Sequence, residues 1–392
     1  MSQDIFIVSA HRTPIGAFQG TLSAVSAPQL GAVAARAAIE SSGISPERID
    51  ETILGCVLMA GLGQAPARQA ALGAGVPASV PATTVNKMCG SALKAVMMAA
   101  DQIRAGSADV ILAGGIESMS NAPYLLPKAR NGLRMGHAEL LDHMFFDGLQ
   151  SPFDKQLMGH FADQTAKKYG FTREQQDTFA AESVRRSLRA IESGAFEAEI
   201  APVTVQERKG ERVVAQDETP FTLDIAKIPT LKPAFNKDGT VTAASSSSIS
   251  DGAAVVIVAG EQAVERYGLT PLARIVAYAS HAQAPEWFTT APVGAIRAVL
   301  QRAGWSATQV DLYEINEAFA CVTMAAIHDL ELDPTKVNVN GGACALGHPI
   351  GATGARILTT LVHALRHRNL KRGVAALCIG GGEATAMAIE GL

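Results

Sequence analysis

One order of predicted elements occurs twice in this chain, and it limits the possible folds more than any other feature. In both places a loop with a reactive side chain leads into a helix, the helix into an apolar strand, and the strand into glycines. The helices are predicted over residues 92–105 and 355–366, the strands over 108–113 and 374–379, and the glycines at 114–115 and 380–382. This repetition indicates an internal duplication, in which two halves face each other across a pseudo-two-fold axis.

Strands and helices also alternate through the rest of the first 120 residues. The further predictions there are strands over 5–9 and 51–58 and helices over 27–42 and 64–72, and residues 82–85 lead into the turn before the helix over 92–105. Alternation of this kind predicts an α/β fold with a largely buried sheet.

The middle of the chain has a different character, with more charged and aromatic residues and a polar amphipathic helix over 172–194. Thr172 is a good N-cap for that helix, because its hydroxyl oxygen accepts a hydrogen bond from a free backbone N–H. We therefore predict a loop-rich domain inserted into the first half. The predicted domains are an N-terminal half over 1–120 and 250–270, the inserted domain over 121–249, and a C-terminal half over 271–392.

The composition argues against several classes of protein. The net charge of −4 is small and no block of like charges occurs, so we predict no binding to nucleic acid. No apolar stretch is long enough to cross a membrane, and the first residues lack the basic segment of a secretion signal. The five cysteines are odd in number and form no CxxC pair, which argues against disulfides and zinc and favours the cytoplasm.

Cys89 is the first candidate for chemistry, because it lies where a loop turns into a predicted helix. The free N–H groups and the dipole at a helix start favour a negative charge, so this position predicts a lowered pKa and a reactive thiolate. The alternative is an inert buried cysteine, which is common in protein cores.

Three other reactive side chains also stand beside small residues at the end of an element: His348, Asn316 and Cys378. Glycines at such places let a substrate approach the backbone and leave N–H groups free to bind an oxyanion. Each residue has a structural alternative. His348 fits a loop histidine that caps a backbone group, Asn316 fits an N-cap for a helix that begins at Glu317, and Cys378 fits a buried strand cysteine. Four such coincidences together favour a catalytic site.

Other patterns fit structural roles better than functional ones. His363 and His367 have the spacing of metal ligands on a helix, but arginines surround them and no third ligand is evident, so we predict a solvated helix face and no metal. The glycine-rich loop 347–354 lacks the spacing of a nucleotide-binding motif. Residues 245–248 are four serines, which fit either a flexible linker or an ordered polar loop at a site.

Taken together, four motifs resemble those of the thiolase family, in the same order and over nearly the whole chain. They are Asn86-Lys87-Met88-Cys89-Gly90-Ser91, Asn316-Glu317-Ala318-Phe319, Gly347-His348-Pro349-Ile350-Gly351 and Cys378-Ile379-Gly380-Gly381-Gly382. The resemblance implies a five-layered core of two αβαβα halves with an inserted loop domain, and a homotetramer built as a dimer of dimers. It is strongest for the subgroup of acetyl-CoA acetyltransferases.

The resemblance also implies a mechanism. Cys89 attacks a thioester and carries the acyl group, and His348 takes the thiol proton. Cys378 exchanges a proton with the α-carbon of the second substrate. The enolate oxygen is held by His348 and by a water fixed by Asn316, and the acyl-enzyme oxyanion by the N–H groups of Cys89 and Gly380.

By the same resemblance, five residues contact the substrate: Ser247 the pantetheine of CoA, and Met158 and Phe319 the acyl group, with Leu157 and Ala318 beside them. The chain departs from the family pattern in three places. These are Ser245-Ser246 where the family usually has Asn-Ala, Leu157 where short-chain members often have His, and Phe221 near a position that often holds an arginine for the CoA nucleotide.

The activity that the resemblance implies is reversible condensation of two acetyl-CoA into acetoacetyl-CoA and CoA, without a cofactor, since the CoA thioesters are substrates. One alternative is a 3-ketoacyl-CoA thiolase of broader specificity in a degradative pathway. Another is a thiolase-like subunit that binds acyl-CoA without turning it over, and the presence of Cys89, His348 and Cys378 argues against it.

Overall fold

The computed structural model describes residues 3–208 and 210–392. The strands are β1 (Ile5–Arg12), β2 (Gly16–Ala17), β3 (Glu51–Gly55), β4 (Ala82–Val85), β5 (Val110–Ser118), β6 (Tyr124–Leu125), β7 (Leu141–Asp142), β8 (Val203–Glu207), β9 (Gly210–Val214), β10 (Ser250–Gly260), β11 (Ala273–Ala282), β12 (Leu312–Ile315), β13 (Arg372–Ile379) and β14 (Glu383–Gly391). The α-helices are α1 (Ala27–Ser42), α2 (Pro66–Gly73), α3 (Ser91–Arg104), α4 (Met158–Tyr169), α5 (Arg173–Glu192), α6 (Glu261–Tyr267), α7 (Ala291–Ala303), α8 (Ala320–Asp329), α9 (Ala343–Leu346) and α10 (Thr353–His367).

The main sheet has the order β12-β13-β14-β11-β1-β10-β5-β3-β4, with β2 paired to β10. Its two sides meet where β1 and β11 run antiparallel, with only Phe6 opposite Arg274 and Ile7 opposite Ala273. On the N-terminal side, β1 with β10 and β10 with β5 are antiparallel pairs, and β5 with β3 is a parallel pair. On the C-terminal side, β11 with β14 and β14 with β13 are antiparallel pairs, and β13 with β12 is a parallel pair. This symmetric order is the structural form of the predicted duplication.

Helices cover the sheet in layers. On the N-terminal side, α1 and α2 pack on the outer face, and on the C-terminal side α7 does so. Between the two sides lie α3 and α10, which share one core cluster through residues such as Leu93, Met97, Ile357 and Leu361. The result is the predicted α-β-α-β-α stack, with α3 and α10 as its middle layer.

The segment between β5 and β10 contains the two small hairpins β6-β7 and β8-β9 and the helices α4 and α5. Helix α5 begins as predicted, since the Thr172 hydroxyl accepts from the Gln175 N–H at 3.2 Å and the Gln175 side chain accepts from the Thr172 N–H at 2.9 Å. None of the helices in the described ranges has the length and apolar character of a membrane span.

The strand predicted over 108–113 was expected to close at Gly114-Gly115, and this prediction is wrong. Strand β5 continues through both glycines to Ser118. A side chain on Gly114 would lie 2.1 Å from the Ala254 carbonyl oxygen, and one on Gly115 would lie 2.1 Å from that of Gly351. The glycines therefore serve close packing of backbones inside the core rather than a turn.

Candidate active site at the seam between the halves

A cavity of about 370 Å³ opens where the two halves meet the inserted segment. Its lining is mostly apolar, and most of the residues selected from the sequence take part in it. These are Cys89, Leu157, Met158, Ser247, Ala318, Phe319, His348, Cys378 and Gly380. Apolar clefts with a few convergent polar groups are the usual form of a small-molecule site.

Cys89 lies in a tight turn directly before α3. Met88 has a φ of 47°, which is uncommon for a residue with a side chain. The Ser91 hydroxyl donates to the Met88 carbonyl at 2.6 Å and accepts from the Lys87 N–H at 2.8 Å, so both ends of the turn are held by the first residue of the helix. The turn thus presents the Cys89 thiol at the cavity wall.

Burial raises the pKa of the Cys89 thiol to about 11, although the N–H groups of Gly380 and of Cys89 itself act in the opposite direction. The expectation of a lowered pKa at the helix start is therefore wrong for the unliganded chain. The loss of solvation outweighs the backbone N–H groups that stabilise a thiolate. At neutral pH the group is a thiol, so a reaction at Cys89 needs a base.

His348 is a suitable base, because its hydrogen bonds leave Nε2 with a free lone pair. The Thr353 hydroxyl donates its only hydrogen to the Pro349 carbonyl at 2.9 Å, so at 2.6 Å from His348 it accepts from Nδ1–H. The buried Nε2 has no hydrogen-bond partner among the described residues. Burial, together with the positive charge of Arg356, lowers the pKa of His348 to about 3, which keeps the ring neutral.

Cys378 is fully buried at the end of β13 and lines the cavity. Burial, and next in order the nearby thiols of Cys89 and Cys321, raises its pKa well above the ordinary value. Cys89 and Cys378 therefore face one cavity as two protonated thiols, close enough to affect each other electrostatically.

Asn316 follows β12 directly and is not part of the cavity lining. The alternative reading as a helix N-cap is wrong, because α8 begins at Ala320 with Phe319 as its N-cap. The Asn316 backbone N–H donates to the Ala376 carbonyl at 2.9 Å. Its side-chain nitrogen and oxygen are buried and have no hydrogen-bond partner in the part of the chain that the structure describes.

Comparisons with known proteins agree with this geometry. Residues 5–262 match the family "Thiolase, N-terminal domain" and residues 269–391 match "Thiolase, C-terminal domain". This chain is a thiolase.

This thiolase is similar to several acetyl-CoA acetyltransferases. Acetyl-CoA acetyltransferase from Pseudomonas aeruginosa is 51% identical over 99% of both chains, and that from Escherichia coli is 52% identical over 98% of both. The crystal structure of the Bacillus anthracis acetyl-CoA acetyltransferase superposes with a TM-score of 0.97 at 42% identity, over 100% of this chain and 99% of that one. A thiolase from Ascaris suum, in complex with coenzyme A, superposes with a TM-score of 0.94 at 44% identity, over 100% of both chains. These likenesses confirm the predicted family and fold.

The four serines at 245–248 form an ordered loop in this thiolase and not a flexible linker. The Ser245 hydroxyl accepts from the Thr242 N–H at 2.8 Å, and the Ser246 hydroxyl donates to the Thr242 carbonyl at 2.7 Å. The hydroxyl and N–H of Ser247 both lie 3.0 Å from the Ala318 carbonyl, which links this loop to the segment after β12. The departure at Ser245-Ser246 is thus accommodated by hydrogen bonds within the loop.

Several cavity residues have no signal in the sequence. Phe235 meets the ring of Phe319 edge-on at 5.9 Å, and Met119, Phe145 and Phe288 line the same apolar wall. Phe235 lies in the inserted segment, where no periodic pattern indicates which aromatic side chain points inward. Phe221, by contrast, is 58% exposed and does not line the cavity.

The histidines His363 and His367 do not share one environment. His363 is half-buried, and its Nε2 lies 2.9 Å from the Ala10 carbonyl, whereas His367 is exposed. The prediction of a solvated face therefore holds only for His367. Within residues 3–208 and 210–392 no group of three or more His, Cys, Asp or Glu side chains is arranged to bind a metal.

Proposed function

We propose that this thiolase is an acetyl-CoA C-acetyltransferase that condenses two acetyl-CoA into acetoacetyl-CoA and CoA, reversibly. Relatives named acetyl-CoA acetyltransferase support this reading and the predicted acyltransferase class. The observation that carries the mechanism is that one apolar cavity brings together the thiol of Cys89, the neutral His348, the thiol of Cys378 and the backbone of Gly380.

In the first step, Nε2 of His348 takes the proton from the Cys89 thiol as the sulfur attacks the thioester carbonyl. The free lone pair on Nε2 supports this role. The lowered pKa keeps the ring unprotonated at neutral pH and therefore able to accept a proton, although the same burial makes the ring a weaker base. The carbonyl oxygen becomes an oxyanion, which the N–H groups of Cys89 and Gly380 stabilise. When the carbonyl re-forms, CoA leaves with the proton from His348, and Cys89 carries the acetyl group.

In the second step, the Cys378 thiol gives its proton to Nε2 of His348, and the Cys378 thiolate then removes an α-proton from a second acetyl-CoA. The resulting carbanion attacks the acetyl carbon on Cys89, and the new carbon–carbon bond forms as the bond to the Cys89 sulfur breaks. His348 returns its proton to the Cys89 thiolate, which restores both thiols. We propose that His348 and a water bound to Asn316 hold the enolate oxygen. The support for Asn316 is its buried amide, whose nitrogen and oxygen both lack a protein partner among the described residues.

Substrate binding follows from the same cavity. Ser247 is proposed to contact the pantetheine, while Met158, Phe319, Leu157 and Ala318 surround the acyl group. No cofactor is needed in this scheme, since two thiols and one imidazole supply every proton transfer.

We further propose that the enzyme is a cytoplasmic homotetramer. All five cysteines are free, which suits a reducing compartment. The stretch between β6 and β7 exposes large apolar side chains, with Met135 90% and Leu140 64% exposed, as expected of a surface that another subunit covers. The bounds of the three predicted domains stay a prediction.

The decisive experiment compares turnover of acetoacetyl-CoA with that of a longer 3-ketoacyl-CoA. We expect preference for acetoacetyl-CoA, and preference for the longer substrate would favour the broader 3-ketoacyl-CoA thiolase, which Leu157 and the apolar cavity wall would suit. Mass spectrometry after incubation with acetyl-CoA tests the intermediate. Absence of an acetyl adduct on Cys89 would favour the non-catalytic reading.

A further inference from the structure

Glu117 is a fully buried carboxyl group in β5 that has no part in the proposed proton transfers. Its Oε2 accepts from the N–H of Gly351 at 2.8 Å and from that of Val57 at 3.1 Å. Its Oε1 accepts from the N–H of Leu58 at 3.1 Å and lies 3.8 Å from the Cys56 sulfur. One side chain therefore satisfies three backbone donors from two distant segments.

Both segments belong to the surroundings of the reactive groups. Gly351 lies three residues after His348, in the loop that leads to α10. The side chains of Val57 and Leu58 form a core cluster with Ile350, and Cys89 packs against that cluster. Through its four contacts, Glu117 thus links the wall behind Cys89 to the loop that carries His348.

The position of Glu117 in the sheet also relates it to the second thiol. Gly55 at the end of β3 pairs with Gly115 in β5, and Ile315 at the end of β12 pairs with Ala376 in β13. Two residues further along β5 and β13 lie Glu117 and Cys378. By this register, Glu117 occupies in the N-terminal half the position that Cys378 has in the C-terminal half.

We propose that Glu117 is a positioning residue, which holds the His348 loop in place opposite Cys89 and thereby sets the rate of Cys89 acetylation. The inference rests on the proposed function, because it assigns Glu117 to the first step of that reaction. Without this acceptor, the Gly351 N–H is buried and unsatisfied, so the loop shifts to find another partner. A displacement of about 1 Å at a reacting group costs roughly a hundred-fold in rate.

The test compares Glu117→Gln with two controls. Gln has the shape of Glu, but an NH₂ group replaces one of the two oxygens and cannot accept a hydrogen bond. Depending on how the amide is turned, either the Leu58 N–H or the N–H groups of Val57 and Gly351 lose their acceptor. Asp251→Asn alters another buried carboxyl, which accepts from the Ser120 N–H, and controls for lost stability. Cys56→Ala removes only the sulfur contact of Glu117 and is expected to react at the wild-type rate.

We expect single-turnover acetylation of Cys89 to fall about 10- to 100-fold in Glu117→Gln. The dissociation constant for CoA should stay within about threefold, because none of the proposed CoA contacts changes. A wild-type acetylation rate in Glu117→Gln, or an equal loss in Asp251→Asn, would overturn the proposal.

Hydrogen exchange gives a readout that needs no activity. In Glu117→Gln, the amides of residues 348–352 should exchange faster than in wild type. If the wild type forms no acetyl adduct but this exchange still rises, the proposed function fails while the positioning role of Glu117 stands. If Glu117→Gln does not fold, hydrogen exchange of the wild-type protein is the test. We then expect the amides of Val57, Leu58 and Gly351 to become exposed to exchange in one common opening event. Exchange of Gly351 in an opening event of its own would contradict the proposal.

Discussion

The two halves of the molecule use one scaffold for different purposes, and the ends of β5 and β13 show this most clearly. Cys378 lines the cavity as a small reactive group, whereas Glu117, at the equivalent position, lies behind the cavity wall and binds three backbone N–H groups. The loops before the middle helices differ in the same manner, with Cys89 before α3 and His348 before α10. The site is therefore assembled from unlike residues at like positions.

Serine and threonine at the starts of α3 and α10 show what the halves have kept in common. Ser91 donates to the carbonyl of Met88, and Thr353 to that of Pro349, so each helix start fixes the loop before it. Only in the second half does this hydroxyl also orient a reactive ring. The shared device is structural, and the catalytic use that we propose for it is confined to one half.

We expect the largest loss of turnover on substitution of Cys89, the proposed nucleophile in the N-terminal half. Cys89→Ser should lower turnover at least about a thousand-fold, because a serine hydroxyl ionises far less readily than a thiol. Cys321→Ser is the matched control, since Cys321 is a buried thiol that donates to the Ala162 carbonyl at 3.6 Å and does not line the cavity. Steady-state assays of both variants measure the difference, and equal losses would contradict the assignment of roles.

Cys378→Ala tests whether Cys378 and Glu117, which occupy equivalent positions in the two halves, act in different steps of the reaction. We expect turnover in the condensing direction to be lost, while Cys89 is still acetylated, because only the second step uses the Cys378 thiol. Mass spectrometry of the adduct and an assay for acetoacetyl-CoA measure the two steps separately. Loss of the adduct itself would mean that Cys378, like Glu117, supports the first step and that the halves differ less than proposed.

Gly115 and Ala376 occupy equivalent places in β5 and β13 but differ in the room around them. Gly115→Ala should lower the free energy of unfolding by about 3 kcal/mol, because the added carbon would lie 2.1 Å from the Gly351 carbonyl oxygen and 2.7 Å from Ala92 Cβ. Ala376→Gly is the reciprocal change and should cost only about 1 kcal/mol. Urea unfolding at equilibrium measures both, and similar costs would refute the packing difference.

Thr353→Val tests the orientation of His348. The substitution removes the acceptor for Nδ1–H, so the ring loses its preferred tautomer, and we expect acetylation to slow about tenfold. Thr359→Val is the same change on the same helix, at a buried hydroxyl without a hydrogen-bond partner among the described residues. A rate in Thr359→Val as slow as in Thr353→Val would show that the effect is one of packing.

The smallest effect concerns pH. Burial raises the pKa of Glu117 to about 7, against the three N–H groups that lower it. A group whose pKa is higher in the folded state stabilises the fold at low pH, and this contribution is lost as the pH rises through about 7. The stability of the wild type relative to Glu117→Gln should therefore fall between pH 5 and pH 8, and thermal unfolding across this range measures it. A constant difference would show that Glu117 is ionised throughout.

The motifs and the order of elements along the chain were enough to predict the fold and to select the candidate reactive groups. Cys89, His348 and Cys378 are candidates because small residues flank each of them, and the structure places all three at one cavity. The repeated loop-helix-strand order indicates the two halves. The role of Gly114 and Gly115 was missed, since glycine in a sequence indicates a turn and close backbone packing equally well. Only the structure brings Gly351 against Gly115.

The residues that sequence reasoning missed depend on tertiary contacts. Glu117 has no neighbouring pattern that marks it, because its partners lie about 60 and 234 residues away. The pKa of Cys89 was misjudged for the same reason: the helix start is a local feature, whereas desolvation depends on everything that surrounds the thiol.

The shared middle layer of α3 and α10 has a consequence for synthesis on the ribosome. Leu93 and Met97 complete their apolar contacts with Ile357 and Leu361, roughly 260 residues later in the chain. At about 5–20 residues per second, one face of α3 waits roughly 13–50 s for its partner helix to emerge. The nascent N-terminal half therefore exposes a hydrophobic face during most of translation, which makes it a natural client for chaperones.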